Sequence, residues 1–569
     1  MPERPLYVAF VWNQHQPFYQ DTVRKEYIMP WVRLHGSKDY YQMAAILEEY
    51  PRIHQTFNLT PSLLEQVEDY LEGGAVDYYM RVMKPVELLS EGEKRFLLQH
   101  FFDIQWDKVI AKFSAYRALL DKQGRVREPA AIERALSLFS SQDYLDLQVW
   151  FNLVWIDPEI RERERFFANL LEKGSGFTES EKEELMERQL GLLRLIVPIH
   201  RQLREKKQIE LITTPFYHPI LPLIIDTQSA LRAAPGLQLP ERFHYKEDAY
   251  WQLEKACQQY QHYFGAQPQG LWPPEQAVSP EIIPLAADMG FTWTITDEQI
   301  LSKTLGAEII RDGYGHVLNP DLLYRPYLVS IEGATMAIVF RDHHLSDRIG
   351  FEYQHLHAEH AAKDLVHRLH KIRENLGRTE ENHLVTIALD GENAWEWYEN
   401  DKRDFLHHLY RLLSEDPLLR CVTVSEFLAA NPPRRQLQHL FTGSWVDHSL
   451  VRWISTENKN KLWSYLARAR KDLETARYYE GDTQRVTEAL RNIYIAEGSD
   501  YMWWVDSMPY YLAAPFEALF RKHLANVYRV LGLDYPAYLE KPLLKPEPGE
   551  PVWKEDPLGG PIAMIQVNR

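Results

Sequence analysis

Apolar runs of strand length recur along this chain, each followed by polar or helical sequence. That alternation limits the fold more than any other feature. The runs are residues 6–12, 54–58, 208–213, 270–272, 292–296, 335–340 and 384–389. Residues 149–156 have a similar composition and read either as a strand or as part of a buried helix. Helical patterns, such as 185–205, 246–264 and 358–376, lie between the runs. Strands alternating with helices predict an α/β barrel or a parallel sheet covered on both faces. Functional groups then belong at the C-terminal ends of the strands. Polar residues stand near those ends here: His15, Asn58, Glu275 and Asp390.

Residues 67–187 are long, charged and helical in character, which reads as an insertion into the barrel. Strand-like runs become scarce after about 432, where 458–478 and 515–531 read as helices. The expected organisation is a catalytic barrel over 1–431, a helical region over 432–540 that contributes to the cleft, and a Pro/Gly-rich tail over 541–569.

Asp and Glu number 81 against 64 Lys and Arg, a net charge of −17. With no basic stripe, nucleic acid is not an expected partner. No apolar run reaches the roughly 18 residues of a membrane helix. The first run is too short for a secretion-signal core, so a cytoplasmic location is expected. Cys257 and Cys421 lack metal-motif spacing and read as free thiols.

The chemistry points to two segments. Gln269-Gly270-Leu271-Trp272-Pro273-Pro274-Glu275 carries a strand through two prolines to one carboxylate. The prolines stiffen the backbone and end regular pairing. Thr386-Ile387-Ala388-Leu389-Asp390-Gly391-Glu392-Asn393-Ala394-Trp395 again ends an apolar strand in an acid. Two carboxyl groups at neighbouring strand ends suit glycoside hydrolysis, one attacking and one acting as acid/base. A lone strand-end acid is more often a helix cap or an ion-pair partner; two, each in an aromatic-flanked motif, favour chemistry. Sugar faces pack on aromatic rings, so Trp272, Trp395 and Trp504 are candidate platforms as well as candidate core residues. Asp297 and Glu298 are candidate supporting or sugar-binding acids. The histidine-rich stretch 355–370 has no catalytic metal spacing and reads as a solvated helix face.

These segments resemble the motifs of glycoside hydrolase family 57. Trp12-Asn13-Gln14-His15-Gln16-Pro17 resembles the first and Gln208-Ile209-Glu210-Leu211-Ile212-Thr213 the second. Glu275 ends a match to the third, where the family carries its nucleophile. Asp390 lies in a match to the fourth, where it carries its acid/base. Ala496-Glu497-Gly498-Ser499-Asp500-Tyr501-Met502-Trp503-Trp504 resembles the fifth, in its amylopullulanase-like form. The resemblance implies an incomplete seven-stranded (β/α) barrel with an adjoining helical domain. It also implies retaining chemistry on α-glucan polysaccharides or oligosaccharides such as starch, glycogen or pullulan. Glu275 and Asp390 would be catalytic; His15, Asn13, Glu210, Trp272, His343, Trp395, Asp500 and Trp504 would contact or orient substrate. Asn13 stands where many relatives have a histidine.

The expected activity is hydrolysis of α-1,4 and α-1,6 links, with no cofactor and no catalytic metal. Asp390 is expected to hold the higher pKa of the pair, raised mainly by the charge of Glu275. The alternative is a 4-α-glucanotransferase or branching-type transglycosylase. More distant rivals are a metal-dependent polysaccharide deacetylase, which would want an early Asp-Asp pair and spaced histidines, and a non-catalytic glucan-binding protein.

Overall fold

Period-two alternation along the strands decides what the centre of the molecule contains. The computed structural model describes residues 4–125, 129–377, 380–479 and 482–546. Seven strands form the barrel: β1 (Leu6–Gln14), β2 (Gln55–Leu59), β3 (Ile209–Ile212), β4 (Gly270–Leu271), β5 (Trp293–Asp297), β6 (Ala334–Arg341) and β7 (Leu384–Asp390). In β1, Val8, Phe10 and Trp12 join the large core under the helices. Ala9 and Val11 face inward instead, packing with Ile212, Trp272, Trp293, Ile295, Ala337, Val339 and Ala388. The same parity carries Asn13, Asp297, Arg341 and Asp390 onto the inner face, at the C-terminal rim.

Each barrel strand runs parallel to its neighbours. Two joints are thin. β3 meets β4 through the bridge Thr213–Leu271, and β6 meets β7 at Arg341–Thr386. The second gap has a visible cause. The strand Tyr327–Ile331 lies antiparallel along that edge of β6 and takes its hydrogen bonds. The short strand Leu419–Cys421 pairs with the start of β1. The sheet is therefore a mostly parallel seven-stranded barrel, nearly closed.

Between β2 and β3 the chain is helical, including Glu91–His100, Ser114–Gln123, Ser141–Val154, Glu179–Leu193 and Ile196–Glu205. Residues 149–156 thus fall largely in a helix, which starts at a Ser140/Asp143 capping box and is buried on nearly every side. The pattern at 185–205 is two helices, broken at Arg194-Leu195. Helices Glu457–Tyr479, Thr483–Ala496, Ser499–Trp504 and Tyr510–Leu531 follow the barrel. They grip the segment after β1. Thr22 donates to Asn492 at 2.6 Å, Asn526 to Asp21 at 3.0 Å, and Tyr501 to the Phe18 carbonyl at 3.0 Å. Most of the expected tail, 547–569, lies outside the described residues. Cys257 and Cys421 are both buried free thiols. Among the described residues, no helix is long and apolar enough to cross a membrane.

Candidate active site

Glu275 owes its position to a locally forced backbone. β4 is two residues long, and a Cβ on Gly270 would lie 2.4 Å from the Trp293 ring and 2.7 Å from Ile212. Only glycine lets the strand pass there. Trp272 then plugs the barrel interior, and the two prolines carry the chain to Glu275, whose φ is 55°. A non-glycine residue in that left-handed region is strained and persists only when its surroundings fix it. Trp445 supplies much of that fixing. Its backbone N–H donates to the Glu275 carbonyl at 3.3 Å and its indole N–H to Glu275 Oε2 at 2.9 Å.

Asp390 ends β7 beside Asn13 of β1, and Asn13 pairs in turn with Asn58 of β2. That register builds a polar row across three strands. Asn58 donates to Asn13 Oδ1 at 2.7 Å, and Asn13 donates to Asp390 Oδ1 at 2.9 Å. Asn393 donates to the other oxygen at 3.1 Å. Asn13 is buried and both ends of its amide are engaged, so it links Asn58 to the Asp390 carboxylate.

The two acids sense each other. Burial pushes Glu275 up to about 8, with the charge of Asp390 adding to it and the Trp445 bond opposing it. Burial also raises Asp390, but Asn13, His15, Asn393 and Arg341 all pull it back. Burial, and not the charge of the partner acid, is the largest cause for both groups, and Glu275 has fewer groups stabilising its charge than Asp390 has. Behind them, burial holds Glu392 well above the carboxylate range.

The remaining expected residues divide. His15 and Asp500 meet at the rim, His15 Nε2 lying 3.1 Å from both Asp500 oxygens. His15 also stacks on His218 at 3.8 Å between centroids, with 16° between planes. His218 and Trp445 escaped the sequence reading. The cues were a histidine just beyond the end of β3, in Phe216-Tyr217-His218-Pro219, and a tryptophan behind Thr442-Gly443-Ser444. His15, His218 and Asp500 are close enough together to suggest a metal site. Nearly parallel stacked rings do not aim their in-plane lone pairs at one ion, so the set does not fit.

His343 is committed to ion pairs. Nδ1 lies 2.9 Å from Asp297 and Nε2 2.9 Å from Asp347. Burial alone would lower its pKa, but those carboxylates raise it to about 10. Asp297, despite burial, is held at about 2 by His343 and Arg341. Glu298 pairs with Arg311 and accepts from the His343 N–H.

Three expected contacts lie away from the cleft. Glu210 is inside the barrel near the start of β3, bonded to Ser425 and to the Trp293 indole; a neighbour on β5 and the strand-end helix, not substrate, occupy it. Trp272 is fully buried among the inward apolar residues. Trp395 is fully buried too, its indole donating to the Gly391 carbonyl at 2.7 Å, which fixes the turn behind Asp390. Neither ring offers a face to sugar. Trp504 is half-buried and stacks on Phe516 at 4.7 Å.

The backbone arrangement is shared with known enzymes. A branching enzyme from Pyrococcus horikoshii superposes with a TM-score of 0.58 at 15% identity, covering 92% of this chain and 89% of that one. The α-amylase AmyC from Thermotoga maritima gives 0.56 at 13% identity, covering 93% and 94%. A 4-α-glucanotransferase from Thermococcus litoralis gives 0.52 at 14%, covering 92% of this chain and 60% of that one. Comparison with curated protein sequences gives no match. The model of Glycosyl hydrolase family 57 matches residues 9–439, a span that takes in both strand-end acids and most of this chain, which belongs to that family.

Proposed function

We propose that the protein is a retaining glycosidase acting on α-glucans, with Glu275 as nucleophile and Asp390 as acid/base. The observation that carries this is the pair itself: two half-buried carboxyls at barrel strand ends, close enough for the charge of one to raise the pKa of the other. Such a pair holds one proton over a broad pH range, as double displacement requires. Glu275 attacks the anomeric carbon while the bond to the leaving oxygen breaks and Asp390 gives that oxygen its proton. Asp390 then takes a proton from the acceptor, which displaces Glu275. Glu275 must be ionised to attack, and a sugar oxygen placed at Asp390 favours the form in which Asp390 holds the proton.

Water as acceptor gives hydrolysis; a sugar hydroxyl gives transfer. Similarity in fold to a branching enzyme and a 4-α-glucanotransferase, alongside an amylase, supports keeping transfer as the second reading. Product analysis on amylose, pullulan and glycogen separates hydrolysis from transfer and α-1,4 from α-1,6 cleavage.

The carboxylate roles are tested by substitution. Glu275→Gln and Asp390→Asn should each reduce turnover of polysaccharide by at least about 10³-fold with the fold intact. Asp390→Asn should still release an activated leaving group, such as fluoride, from an α-glucosyl donor, because such groups need little protonation. Glu275→Gln should not. Starch turnover near the wild-type rate by either variant would reject the assignment.

A further inference from the structure

We infer that Trp445 is a positioning residue for the nucleophile, holding one oxygen of Glu275 so that the other faces the anomeric carbon. The inference rests on the reading of Glu275 as the attacking carboxylate and goes beyond it, since Trp445 lies outside both strand-end motifs and outside residues 9–439.

Four observations converge on it. First, Trp445 holds Glu275 twice, by backbone and by indole, at 3.3 and 2.9 Å. Among the described residues, no other side chain bonds that carboxylate. A single donor on Oε2 breaks the equivalence of the two oxygens and leaves Oε1 open. Second, the loop carrying Trp445 is bolted to the nucleophile's own segment. Val278 and Gly443 exchange backbone hydrogen bonds at 2.8 and 3.0 Å. A Cβ on Gly443 would meet the His448 carbonyl oxygen and Ile300 at 2.8 Å, so a larger residue there would push the loop off this close contact.

Third, the indole is held from two sides. It meets the Trp272 ring edge-on at 5.5 Å and 80°. The Arg341 guanidinium lies over it, 4.7 Å from the centroid. Arg341 is itself fixed by Asp297 at 2.9 Å and by donating to the Ala388 carbonyl at 3.0 Å. The orientation of the N–H is thus set by barrel residues on β5, β6 and β7. Fourth, Glu275 sits at a positive φ, and a strained residue keeps its geometry only where neighbours over-determine it.

The electrostatic consequence follows from who faces Glu275. Asp390 from β7 and Asp500 from the helix Ser499–Trp504 both disfavour its charged form, and the Trp445 N–H favours it. Removing the N–H should therefore misplace the carboxylate and make it harder to ionise.

The test is Trp445→Phe, which keeps an aromatic ring beneath Arg341 and deletes the donor. A second variant carries benzothienylalanine at 445, isosteric with tryptophan but lacking the N–H, so a folding defect in the first does not decide the matter. With a maltooligosaccharide substrate, both should lose about 10²-fold in kcat with little change in KM, and the bell-shaped pH profile should move to higher pH. Restored kcat in Trp445→His, which can also donate, supports the role. Wild-type kcat and an unshifted profile in the benzothienyl variant would overturn it. So would a rise in KM with unchanged kcat, which marks a sugar platform instead. Glu275→Gln measured alongside separates the two claims. If it retains turnover, the nucleophile reading fails; if it is inactive while the 445 variants behave as wild type, only the present inference fails.

Discussion

At the scale of single residues, the site is expensive to keep. Glu275 is half-buried and raised to about 8 against an ordinary 4.5. A folded-state pKa above the unfolded value means the carboxyl favours the fold while protonated. Its contribution is fully present below about 4.5 and is lost as pH rises through about 8. Glu275→Gln, which cannot ionise, should therefore gain on the wild type as pH rises. We expect the stability gap to widen by about 2 kcal/mol between roughly pH 5 and pH 9, less than the full shift implies because part of the side chain is solvated. Tm measured for both proteins across that range checks this, and a constant gap would show that Glu275 does not carry the raised value. The placement of the two acids was legible in the sequence because each closes a motif that starts in an apolar strand: Asp390 ends β7, and Glu275 follows β4 across Trp272 and two prolines. The roles of Asn13, Trp272 and Trp395 were not. Aromatic-plus-acid composition marks a sugar site and a packed turn equally well, and only burial separates them. Asn13 was open to a stricter reading: its parity with Ala9 and Val11 puts it inside, next to Asp390.

At the scale of elements, the seven barrel strands were visible because most are apolar runs set between helical patterns; β2, Gln55-Thr56-Phe57-Asn58-Leu59, is the exception and stands out by the Thr60-Pro61 helix start behind it. The flanking strands Tyr327–Ile331, Leu419–Cys421 and Arg435–Leu437 were not. They are short, and pairing partners far along the chain define them rather than their own composition. The two helices at 179–205 merged in the sequence reading although Pro198, which cannot donate to the Arg194 carbonyl, stands just past the break. β4 shows how an element can be specified by one atom's absence. Gly270→Ala places a Cβ 2.4 Å from the Trp293 ring, and the ring is held by Glu210 and Ser425 at 3.0 and 3.1 Å. The strand must then shift, carrying Glu275 with it. We expect a loss of about 3 kcal/mol and a larger proportional loss of activity. Gly270→Ala combined with Trp293→Phe, which vacates the clashing atoms, should recover part of the stability. Thermal unfolding of the single and double variants decides it; an undisturbed Gly270→Ala protein would mean the segment has slack that its packing does not show.

At the scale of the whole molecule, the cleft is not the property of the barrel alone. The family match ends at 439, yet Trp445 and Asp500 both come from beyond it. The helix Ser499–Trp504 is seated against the segment after β3 by the Pro219–Gly498 bridge and by Ser499 against His218 at 3.0 Å. Asp500 is thereby delivered to His15, on the segment after β1. Long sequence separation is why this arrangement was only partly legible: the fifth motif flagged Asp500, but the local cues at residues 218 and 445 do not say which distant groups those side chains meet. Asp500 and Trp445 act on Glu275 in opposite directions, one raising its pKa and the other lowering it. That opposition yields a prediction independent of substrate identity within the class. Asp500→Asn keeps a hydrogen-bonding partner for His15 and removes the charge. It should move the bell-shaped pH profile to lower pH, opposite to Trp445→Phe, and reduce kcat/KM about tenfold through the weakened rim. Tm should stay near the wild-type value, since the interface retains the Thr22–Asn492, Asp21–Asn526 and Phe18–Tyr501 contacts. The Asp500→Asn/Trp445→Phe double variant should then titrate between the two single variants. Shifts in the same direction for both single variants would mean that the helical region affects the site through the fold and not through charge at Glu275.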